Sequence, residues 1–539
     1  MTSGDSDSLL PGTGLSDLLD AAVRRAGDRA ALDLAGHVWT YRELGDLVAQ
    51  ASDGLRRMGV GPGSRVGLCL PNSPWYVIGF FAALRLSAIV VQFNPLYTAR
   101  EIVQIARDSG TDTLFVSDLS MQVATMAEVR RQRPGLAIIG CPLDVASAGA
   151  MPSDWRDFGA LIAEASTCPA VPVTADMPAV LQYTGGTTGV PKGAVLTHGN
   201  LLANCEQIRL HLHLEPDADH RTVAVLPLFH VFALTTVLLL SVRLAAQIVL
   251  LPRFDVDGLL RTIARTRPTL LSAVPTIYGA VNGVAVEQLP DFSTMAACIS
   301  GGAPLPFDVR EAFERRTGTR LVEGYGLTEA SPVVACNPVD APPCDHSAGI
   351  ALPGTRIEIH ATDEARGPLG PGEIGEVCVR GPQVMRGYWQ QPEETARVLQ
   401  DGLLRTGDVG YLDAEGHLFL VDRIKDVILC SGYNVYPRMI EEALYEHPAV
   451  AEAIALGLPD AYRGESPHAF VALRPGAEAS VAGLRAHLAE RLNKIEMPVT
   501  IEIRAALPRT AVGKLSRKDL RETVRAEAAR AADLRVDVA

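Results

Sequence analysis

The chain has 539 residues, of which 47% are hydrophobic and 21% are charged, a composition typical of globular proteins. This composition excludes a disordered, collagen-like or disulfide-scaffold chain, and the length corresponds to about three or four domain equivalents, with a core large enough to hold a deep pocket. There are 62 acidic and 49 basic residues, so the formal net charge of −13 argues against a nucleic-acid binder that relies on overall electrostatic attraction.

The first third of the chain alternates predicted strands and helices. Strands are expected at 65–70, 88–93, 113–117 and 179–184. An apolar helix is predicted over 74–86, and a capping box of Thr98 and Glu101 begins the helix before the third strand. The stretch 143–178 is rich in Ala, Pro, Ser and Asp and is interpreted as a connection. This order favours parallel sheets with helices packed outside.

The pattern changes twice toward the C-terminus. A second α/β unit is predicted from strands at 297–302 and 320–326 and a helix at 307–316, and short strands with Gly and Pro turns after about residue 350 indicate a β-rich subdomain. Beyond Asp422 a small α+β unit begins, large enough to be a separate domain. We therefore expect a large N-terminal α/β domain at 1–422, a junction at 423–425 and a C-terminal domain at 426–539.

Membrane and export signals are weak in this sequence. The first residues, MTSGDSDSLLPG, lack the basic end of a secretory signal. The stretch Thr222–Val242 carries no formal charge, but Pro227 and His230 interrupt it, so we interpret it as a buried strand, loop and helix. Nine cysteines without a Cys-x-x-Cys pair are most consistent with reduced thiols. The expected location is the cytoplasm, with peripheral membrane contact left open.

The densest chemical signal is the segment Tyr183–Gly193, YTGGTTGVPKG, which follows an apolar strand. Its glycines allow backbone amides to approach an anion, its threonines add hydroxyl donors, and its lysine adds a positive charge. This chemistry is that of a nucleotide triphosphate cradle, in a frame that differs from a Walker loop. The candidate phosphate-binding residues are Thr184, Gly185, Gly186, Thr187, Thr188, Gly189 and Lys192.

Further motifs follow in a fixed order. They are Gly301-Gly302-Ala303-Pro304, Tyr325-Gly326-Leu327-Thr328-Glu329, Thr406-Gly407-Asp408, Asp422-Arg423-Ile424-Lys425-Asp426, Ser431-Gly432-Tyr433-Asn434 and Pro508…Gly513-Lys514. With the glycine-rich loop, these motifs resemble the acyl-adenylate-forming superfamily over essentially the whole chain. The segments LQYTGGTTGVPKGAVLTH, LPLFHVFAL, VEGYGLTE, RGPQVMRGYW and SGYNVYP are most similar to long-chain fatty-acid–CoA ligases.

The resemblance implies a reaction in two steps. A carboxylate attacks the α-phosphate of ATP to give an acyl-adenylate and pyrophosphate, and a thiol, usually that of coenzyme A, then displaces AMP. It also implies a role for each motif residue: Thr184, Thr187, Thr188 and Lys192 for the β- and γ-phosphates, Thr328 for the α-phosphate, Glu329 for Mg²⁺, Asp408 and Arg423 for the ribose, and Gly302, Ala303, Pro304, Glu323, Gly324 and Tyr325 for the adenine, with Tyr325 stacking on the base.

The remaining roles belong to the acid, the acceptor and the small domain. By resemblance, Lys514 bridges the carboxylate and the α-phosphate, and Lys425 is the hinge about which a mobile C-terminal domain swings between the two steps. The acid pocket is expected at His230, Val231, Gly301 and Gly302, and the coenzyme A side at Ser431, Gly432 and Tyr433. His211, His213 and His220 lack the spacing of a helical zinc site and are interpreted as a solvated loop.

One segment departs from the fatty-acid subgroup. Near the acceptor's approach, Lys494 and Pro498 match the family pattern, but Glu496 is acidic and no lysine follows the proline. The sequence therefore predicts an ATP- and Mg²⁺-dependent medium- or long-chain acyl-CoA ligase, acting on small molecules as a monomer or homodimer. The alternatives are a ligase for an aryl acid or a small oxyacid such as nitrite, with an acceptor other than coenzyme A, and a binding homologue without activity.

Overall fold

The computed structural model describes residues 14–143, 151–163, 166, 168–184, 191–342, 344–361, 367–431, 433–460, 462–510 and 513–536, without the side chains of Ser120 and of 528–536. Six candidate site residues lie outside these ranges: Gly185, Gly186, Thr187, Thr188, Gly189 and Gly432. Within them, none of the helices combines the length and the apolar character that a membrane span needs.

The strands of the described ranges are β1 (Ala30–Leu34), β2 (His37–Thr40), β3 (Arg65–Cys69), β4 (Ile89–Gln92), β5 (Thr113–Ser117), β6 (Ala137–Cys141), β7 (Arg156–Asp157), β8 (Pro178–Thr184), β9 (Lys192–Thr197), β10 (Arg221–Ala224), β11 (Gln247–Leu250), β12 (Leu270–Ala273), β13 (Ala297–Gly301), β14 (Leu321–Gly326), β15 (Val333–Cys336), β16 (Ile350–Ala351), β17 (Arg356–His360), β18 (Gly375–Arg380), β19 (Gly387–Tyr388), β20 (Leu399–Gln400), β21 (Leu403–Leu412), β22 (Leu418–Arg423), β23 (Ile428–Cys430), β24 (Tyr433–Val435), β25 (Val450–Asp460), β26 (Gly464–Leu473) and β27 (Thr500–Arg504).

The helices of the same ranges are α1 (Leu15–Ala26), α2 (Tyr41–Arg57), α3 (Pro74–Arg85), α4 (Ala99–Ser109), α5 (Ser120–Gln132), α6 (Phe158–Ala163), α7 (His198–His211), α8 (Val231–Ala233), α9 (Leu240–Leu244), α10 (Val256–Thr266), α11 (Pro275–Asn282), α12 (Phe307–Thr317), α13 (Pro392–Val398), α14 (Pro437–Tyr445), α15 (Val481–Ala489) and α16 (Arg517–Val536). A π-helical segment, Leu234–Leu239, joins α8 to α9, and 3₁₀ turns occur at Val286–Gln288 and Thr328–Ala330.

Two large sheets form the N-terminal part. One has nine strands in the order β16-β15-β14-β13-β12-β10-β11-β1-β2, and the other has eight in the order β19-β9-β8-β4-β3-β5-β6-β7. The central pairs of both sheets are parallel and the outer pairs β1–β2, β14–β15 and β8–β9 are antiparallel. The strands of the parallel parts are apolar on both faces, because helices cover both faces of a parallel sheet.

Two smaller sheets follow. β17, β18, β20, β21 and β22 form an antiparallel β-rich unit, and β23 to β27 form the C-terminal sheet, which packs on α14 and α15. The C-terminal unit has its own buried clusters, one around Ile440, Val471 and Leu484 and one around Phe470 and Leu520. A core of this kind is what an independently folded unit needs. The predicted fold class, with parallel sheets in a large N-terminal part, is confirmed.

Local sequence signals account for several element boundaries. Thr98 accepts a hydrogen bond from the Glu101 amide at 3.4 Å, and the Thr98 amide donates to the Glu101 carboxylate at 2.8 Å, so the predicted capping box begins α4. The uncharged stretch Thr222–Val242 forms buried β10 followed by α8, the π-helical segment and part of α9, as predicted.

Candidate active site

A cleft of about 1710 Å³ lies where the carboxyl ends of strands from both large sheets meet the C-terminal unit. Ligand sites of open α/β sheets form at these strand ends. The candidate residues that line the cleft are Thr184, His230, Gly302, Ala303, Pro304, Glu323, Gly324, Tyr325, Thr328, Asp408, Arg423, Lys425 and Lys514. The fold therefore brings together residues separated by more than three hundred positions in the chain.

Asp408 is the centre of one polar group in the cleft. It lies on β21 and is almost fully buried. Its Oδ2 accepts a hydrogen bond from the Tyr325 hydroxyl at 2.6 Å, and its Oδ1 accepts from Arg423 Nε at 2.8 Å. Burial, followed by the charge of Asp408, raises the pKa of Tyr325, so this hydroxyl stays a donor. A carboxylate fixed in this way has lone pairs suited to a vicinal diol.

Glu323 lies at the other side of the predicted adenine position, on β14 beside Gly324. Burial raises its pKa to about 7, although Arg438 acts in the opposite direction. The carboxyl group therefore takes up a proton much closer to neutral pH than an ordinary glutamate does, and its protonated form can donate a hydrogen bond. The turn at Gly302, with φ of +80°, and the following Ala303 and Pro304 complete this wall of the cleft.

Lys514 reaches the cleft from the C-terminal unit. A Cβ placed on Gly302 would lie 2.5 Å from Lys514 Cε and 2.6 Å from its Nζ, so a side chain there would force the end of the lysine to move, and the positive φ of Gly302 also favours glycine. The loop that carries Lys514 is held by a hydrogen bond from Thr276 Oγ1 to the Gly513 carbonyl at 3.0 Å. Burial, with a contribution from Arg423, lowers the pKa of Lys514 to about 8. The Lys514 side chain is half-buried there.

His230 faces the same position from the N-terminal part. Burial, together with the charge of Lys514, lowers the pKa of His230 to about 3, so its imidazole is neutral at physiological pH. Its ring nitrogen accepts a hydrogen bond from the Phe232 amide at 3.3 Å and caps the short helix α8. Val231 is buried, and a Cβ on Gly301 would lie 2.9 Å from the Phe232 ring. Val231 and Gly301, both predicted for the acid pocket, therefore support the wall of the cleft and do not line it.

The predicted phosphate and metal residues form a second polar group. Glu329 accepts a hydrogen bond from the Tyr388 hydroxyl at 2.8 Å, and the Lys192 ammonium lies 5.4 Å from the centre of the Tyr388 ring. Lys192 also forms an ion pair with Glu394. Thr184 ends β8 at the edge of the cleft and Thr328 begins the 3₁₀ turn that presents Glu329. Cationic and carboxylate groups of this kind suit a bound metal–triphosphate.

The predicted hinge and acceptor residues lie at the junction and beyond it. Lys425 is in a turn after β22, bracketed by hydrogen bonds from Ile424 to Gly407 at 2.9 Å and from Asp426 to Arg423 at 2.9 Å. Ser431 has a positive φ of 53°, and Tyr433 is 61% exposed on β24. Ser431 and Tyr433 do not line the cleft in this orientation of the C-terminal unit.

Three residues of the site were not singled out from the sequence. Tyr388 and Glu394 bond the predicted Glu329 and Lys192, and Arg517 bonds Asp422 of the predicted junction motif. Tyr388 lies in the segment RGPQVMRGYW that carried part of the resemblance, so that motif was a signal for it. Glu394 carries no such signal, because it lies 202 positions after Lys192 in the chain and only the tertiary fold brings the two together.

Comparison with known proteins assigns the chain to a family. The model of the AMP-binding enzyme family matches residues 19–389, and that of the AMP-binding enzyme C-terminal domain matches residues 439–514. The chain is 39% identical to a long-chain-fatty-acid–CoA ligase of Bacillus subtilis (strain 168), covering 95% of each chain, and 34% identical to a feruloyl-CoA synthase of an Amycolatopsis species, covering 93% of this chain and 96% of the other. The crystal structure of ATP-bound MatB from Rhodopseudomonas palustris superposes with a TM-score of 0.84 at 29% identity, over 94% of this chain and 98% of the other.

The chain belongs to the AMP-binding enzyme family. The resemblance to long-chain fatty-acid–CoA ligases, and with it the prediction of an ATP-dependent, AMP-forming acid ligase, is confirmed.

Proposed function

We propose that this protein activates a hydrophobic carboxylic acid with ATP and transfers the acyl group to coenzyme A. The observation that carries the proposal is the meeting of Lys514 with His230 and Gly302 in the cleft that also holds Asp408. The acid side and the nucleotide side of the site are thereby joined by one cation. The identity to long-chain-fatty-acid–CoA ligases supports a fatty acid as the substrate.

In the first half-reaction, the acid carboxylate attacks the α-phosphate and pyrophosphate leaves. Lys514 is proposed to lie between the two anions, reducing their repulsion and stabilising the charge of the transition state. Thr328 is proposed to donate to the α-phosphate. Asp408 and Arg423 hold the ribose, and Tyr325 keeps Asp408 in place while its ring packs against the adenine. Because His230 is neutral, it does not compete with Lys514 for the acid's carboxylate, and it can lie beside an apolar chain.

Lys192 is proposed to bind the β- and γ-phosphates together with Thr184, Thr187 and Thr188. Glu329 supplies a hard carboxylate oxygen, which suits Mg²⁺, and the Tyr388 hydrogen bond fixes the orientation of that carboxylate. When bound, Mg²⁺ neutralises phosphate charge and orients the leaving group. The residues present therefore fit a Mg²⁺–ATP substrate.

The second half-reaction is proposed to need a rotation about Lys425. The boundaries 1–422, 423–425 and 426–539 would then separate a static part, a hinge and a moving part, and the rotation would bring Ser431, Gly432 and Tyr433 to the coenzyme A side. The exposed apolar surface of Tyr433 and Leu429, at 61% and 59%, is consistent with a face that is covered in the other orientation. The TM-score to MatB is 0.84 for its ATP-bound and 0.75 for its apo structure, which supports the present orientation as the one for adenylation.

The test measures pyrophosphate release over a panel of laurate, palmitate, oleate, benzoate, ferulate and nitrite, each with ATP and Mg²⁺, followed by thioester formation with coenzyme A. Palmitate or oleate is expected to give the highest kcat/KM and a coenzyme A thioester. Ferulate or nitrite as the preferred substrate would refute the fatty-acid assignment, and release of pyrophosphate without any thioester would refute the acceptor. Location in the cytoplasm stays a prediction.

A further inference from the structure

A cluster of charged side chains crosses the junction between the two parts of the chain. Asp422 lies on β22, where it is opposite Val409 of β21, so the backbone of the N-terminal part fixes its position. Its side chain is only 1% exposed. Its three hydrogen-bond donors are the Arg423 amide at 2.8 Å, the Arg438 amide at 2.8 Å and Arg517 Nη1 at 3.3 Å. Two of these donors belong to the C-terminal unit.

Arg517 is the C-terminal unit's main contribution to this cluster. It is the first residue of α16 and follows Lys514 by three positions. Its guanidinium donates two hydrogen bonds to Glu441, from Nη2 at 2.6 Å and from Nε at 3.1 Å, and lies 3.5 Å from Asp426. A planar guanidinium can bond a carboxylate on two edges at once, which a lysine cannot do. Arg517 therefore connects Glu441, inside the unit, with Asp422, outside it.

The position of the hinge divides these contacts into two kinds. Asp426, Arg438, Glu441 and Arg517 all follow Lys425 and move together when the chain rotates there. Asp422 precedes the hinge and stays behind, so rotation breaks its bonds to the Arg438 amide and to Arg517. The Arg438 amide lies in the first turn of α14, where a carboxylate is favoured by the helix dipole. The present orientation of the C-terminal unit thus gives Asp422 two partners, the Arg438 amide and Arg517, that a rotation about the hinge would remove.

We propose that Asp422 and Arg517 form a latch that holds the C-terminal unit in the orientation that places Lys514 in the cleft, so that Arg517 is a positioning residue for acyl-adenylate formation. The latch acts on Lys514 through the loop that precedes Arg517, whose geometry is fixed by two backbone hydrogen bonds. The Ser516 amide donates to the Pro508 carbonyl at 2.8 Å, and the Thr510 amide donates to the Lys514 carbonyl at 2.7 Å. These bonds tie the Lys514 segment to the start of α16. This inference rests on the proposed function, because it explains what holds the C-terminal unit in the orientation proposed for adenylation.

The experiment compares two half-reactions in Arg517→Gln: pyrophosphate release from palmitate and ATP, and thioester formation from supplied palmitoyl-adenylate and coenzyme A. The first rate is expected to fall about tenfold, the equivalent of about 1.4 kcal/mol of bias toward the docked orientation. The second rate is expected to hold or to rise. Arg517→Lys, which keeps the charge, should recover part of the first rate. Equal losses in both half-reactions, or no loss in either, would overturn the latch.

Three further variants separate the latch from general damage to the fold. Asp422→Asn leaves the Arg517–Glu441 pair intact and should show the same selective loss. Because Asp422 also accepts from the Arg438 amide, the double variant should be no slower than the slower of the two single variants. Additive losses would overturn the proposal. Arg504→Gln is the matched control, because Arg504 pairs with Glu502 and Glu527 at 2.7 Å inside the C-terminal unit, and it should leave both half-reactions unchanged. The unfolding temperature of each variant shows whether it is folded.

A readout without turnover makes the latch testable even if the proposed reaction is wrong. Spin labels at Leu96→Cys and Tyr462→Cys, both exposed positions, in a Cys344→Ser background would report the distance between the two parts. One distance should dominate with Asp422 and Arg517 present, and a second population should appear in Arg517→Gln. An unchanged distance distribution refutes the latch. Failure of the proposed function would instead be seen as no pyrophosphate release by the unmodified protein with any acid.

Discussion

Replacing Lys514 with Ala removes the cation that the C-terminal unit places beside Gly302 and His230. A preorganised charge of this kind contributes about 3 kcal/mol or more to a transition state that develops negative charge, so acyl-adenylate formation should slow by at least about 100-fold. Reaction of supplied acyl-adenylate with coenzyme A should slow far less, because the carboxylate–phosphate bond already exists. Quenched-flow assays of the two half-reactions measure both rates. Equal slowing of the two would refute the assignment of Lys514 to adenylation.

The pH dependence of the same step gives a second measure of Lys514. Burial, with Arg423, lowers its pKa from the ordinary 10.5 to about 8, so the side chain loses its charge about two pH units earlier than an ordinary lysine. The kcat/KM of adenylation should therefore fall as the pH rises through 8 in the unmodified protein. Lys514→Arg stays charged throughout and should lose this descending limb, although its larger head group lowers the rate at every pH. An unchanged limb in Lys514→Arg would assign it to another group.

The lowered pKa also predicts the effect of Lys514 on stability. A lowered pKa means that the charged form of Lys514 destabilises the folded protein. This destabilisation is fully present below pH 8 and disappears as the pH rises toward 10.5, the pKa of the lysine in the unfolded chain. The full difference corresponds to about 3 kcal/mol, and solvent in the cleft reduces it. Lys514→Ala should therefore not lower the unfolding temperature at pH 7. A large decrease would mean that Lys514 supports the fold itself.

Three other changes test neighbouring parts of the site. Glu329→Gln should raise the Mg²⁺ concentration needed for half-maximal pyrophosphate release by about tenfold or more, since an amide is a weaker ligand for a hard cation; an unchanged Mg²⁺ titration would remove Glu329 from the metal site. Lys425→Pro fixes φ at the junction and should slow thioester formation more than adenylation, and equal effects in the half-reaction assays would contradict a hinge there. Gly302→Ala puts a methyl group 2.5 Å from Lys514 Cε at a position with positive φ, so the end of the lysine must move and adenylation should slow; an unaffected rate would mean that this close approach of Lys514 to Gly302 is not needed for adenylation.

Regular elements were predictable because their signals are local. The strand at 113–117 has the bounds that its apolar run predicts, and the helix predicted over 74–86 spans Pro74–Arg85, with Ser73 capping its first turn. The interpretation of Thr222–Val242 as strand, loop and helix was confirmed because Pro227 and His230 interrupt the apolar run. In each case the residues that decide the structure are within a few positions of one another.

The polar contacts of the site were not predictable from periodicity. The Tyr325–Asp408 hydrogen bond joins residues 83 positions apart, and only the packing of the β-rich unit against β14 brings them together. The motif resemblance named both residues, but it did not give their mutual bond. Likewise the raised pKa of Glu323 and the lowered pKa of Lys514 follow from burial in the assembled cleft, which no segment of the sequence contains. The sequence supplies the groups, and the tertiary structure sets their charge.

The contact between Lys192 and Glu394 leads to a prediction about ATP affinity. Glu394 lies on α13 and forms ion pairs with both Lys192 and Arg397. The hydrogen bond from Lys192 holds the pKa of Glu394 below its usual range, so the carboxylate is ionised when ATP arrives. In its proposed role at the β- and γ-phosphates, Lys192 must then leave this carboxylate, or share it, before it binds ATP.

Glu394→Gln removes the competing charge while keeping the size of the side chain, so it should lower the KM for ATP. The Lys192 and Glu394 side chains are 19% and 29% exposed, so water still reaches the pair, and we expect a contribution of about 1 kcal/mol, which corresponds to a change in KM of about fivefold. Glu393→Gln, at the exposed neighbouring position of α13, is the matched control and should leave KM unchanged. Steady-state pyrophosphate release at varied ATP measures both variants. A KM that rises in Glu394→Gln would mean that Glu394 positions Lys192 for the phosphates instead of competing with them, because losing the carboxylate would then release the lysine from the place where ATP needs it.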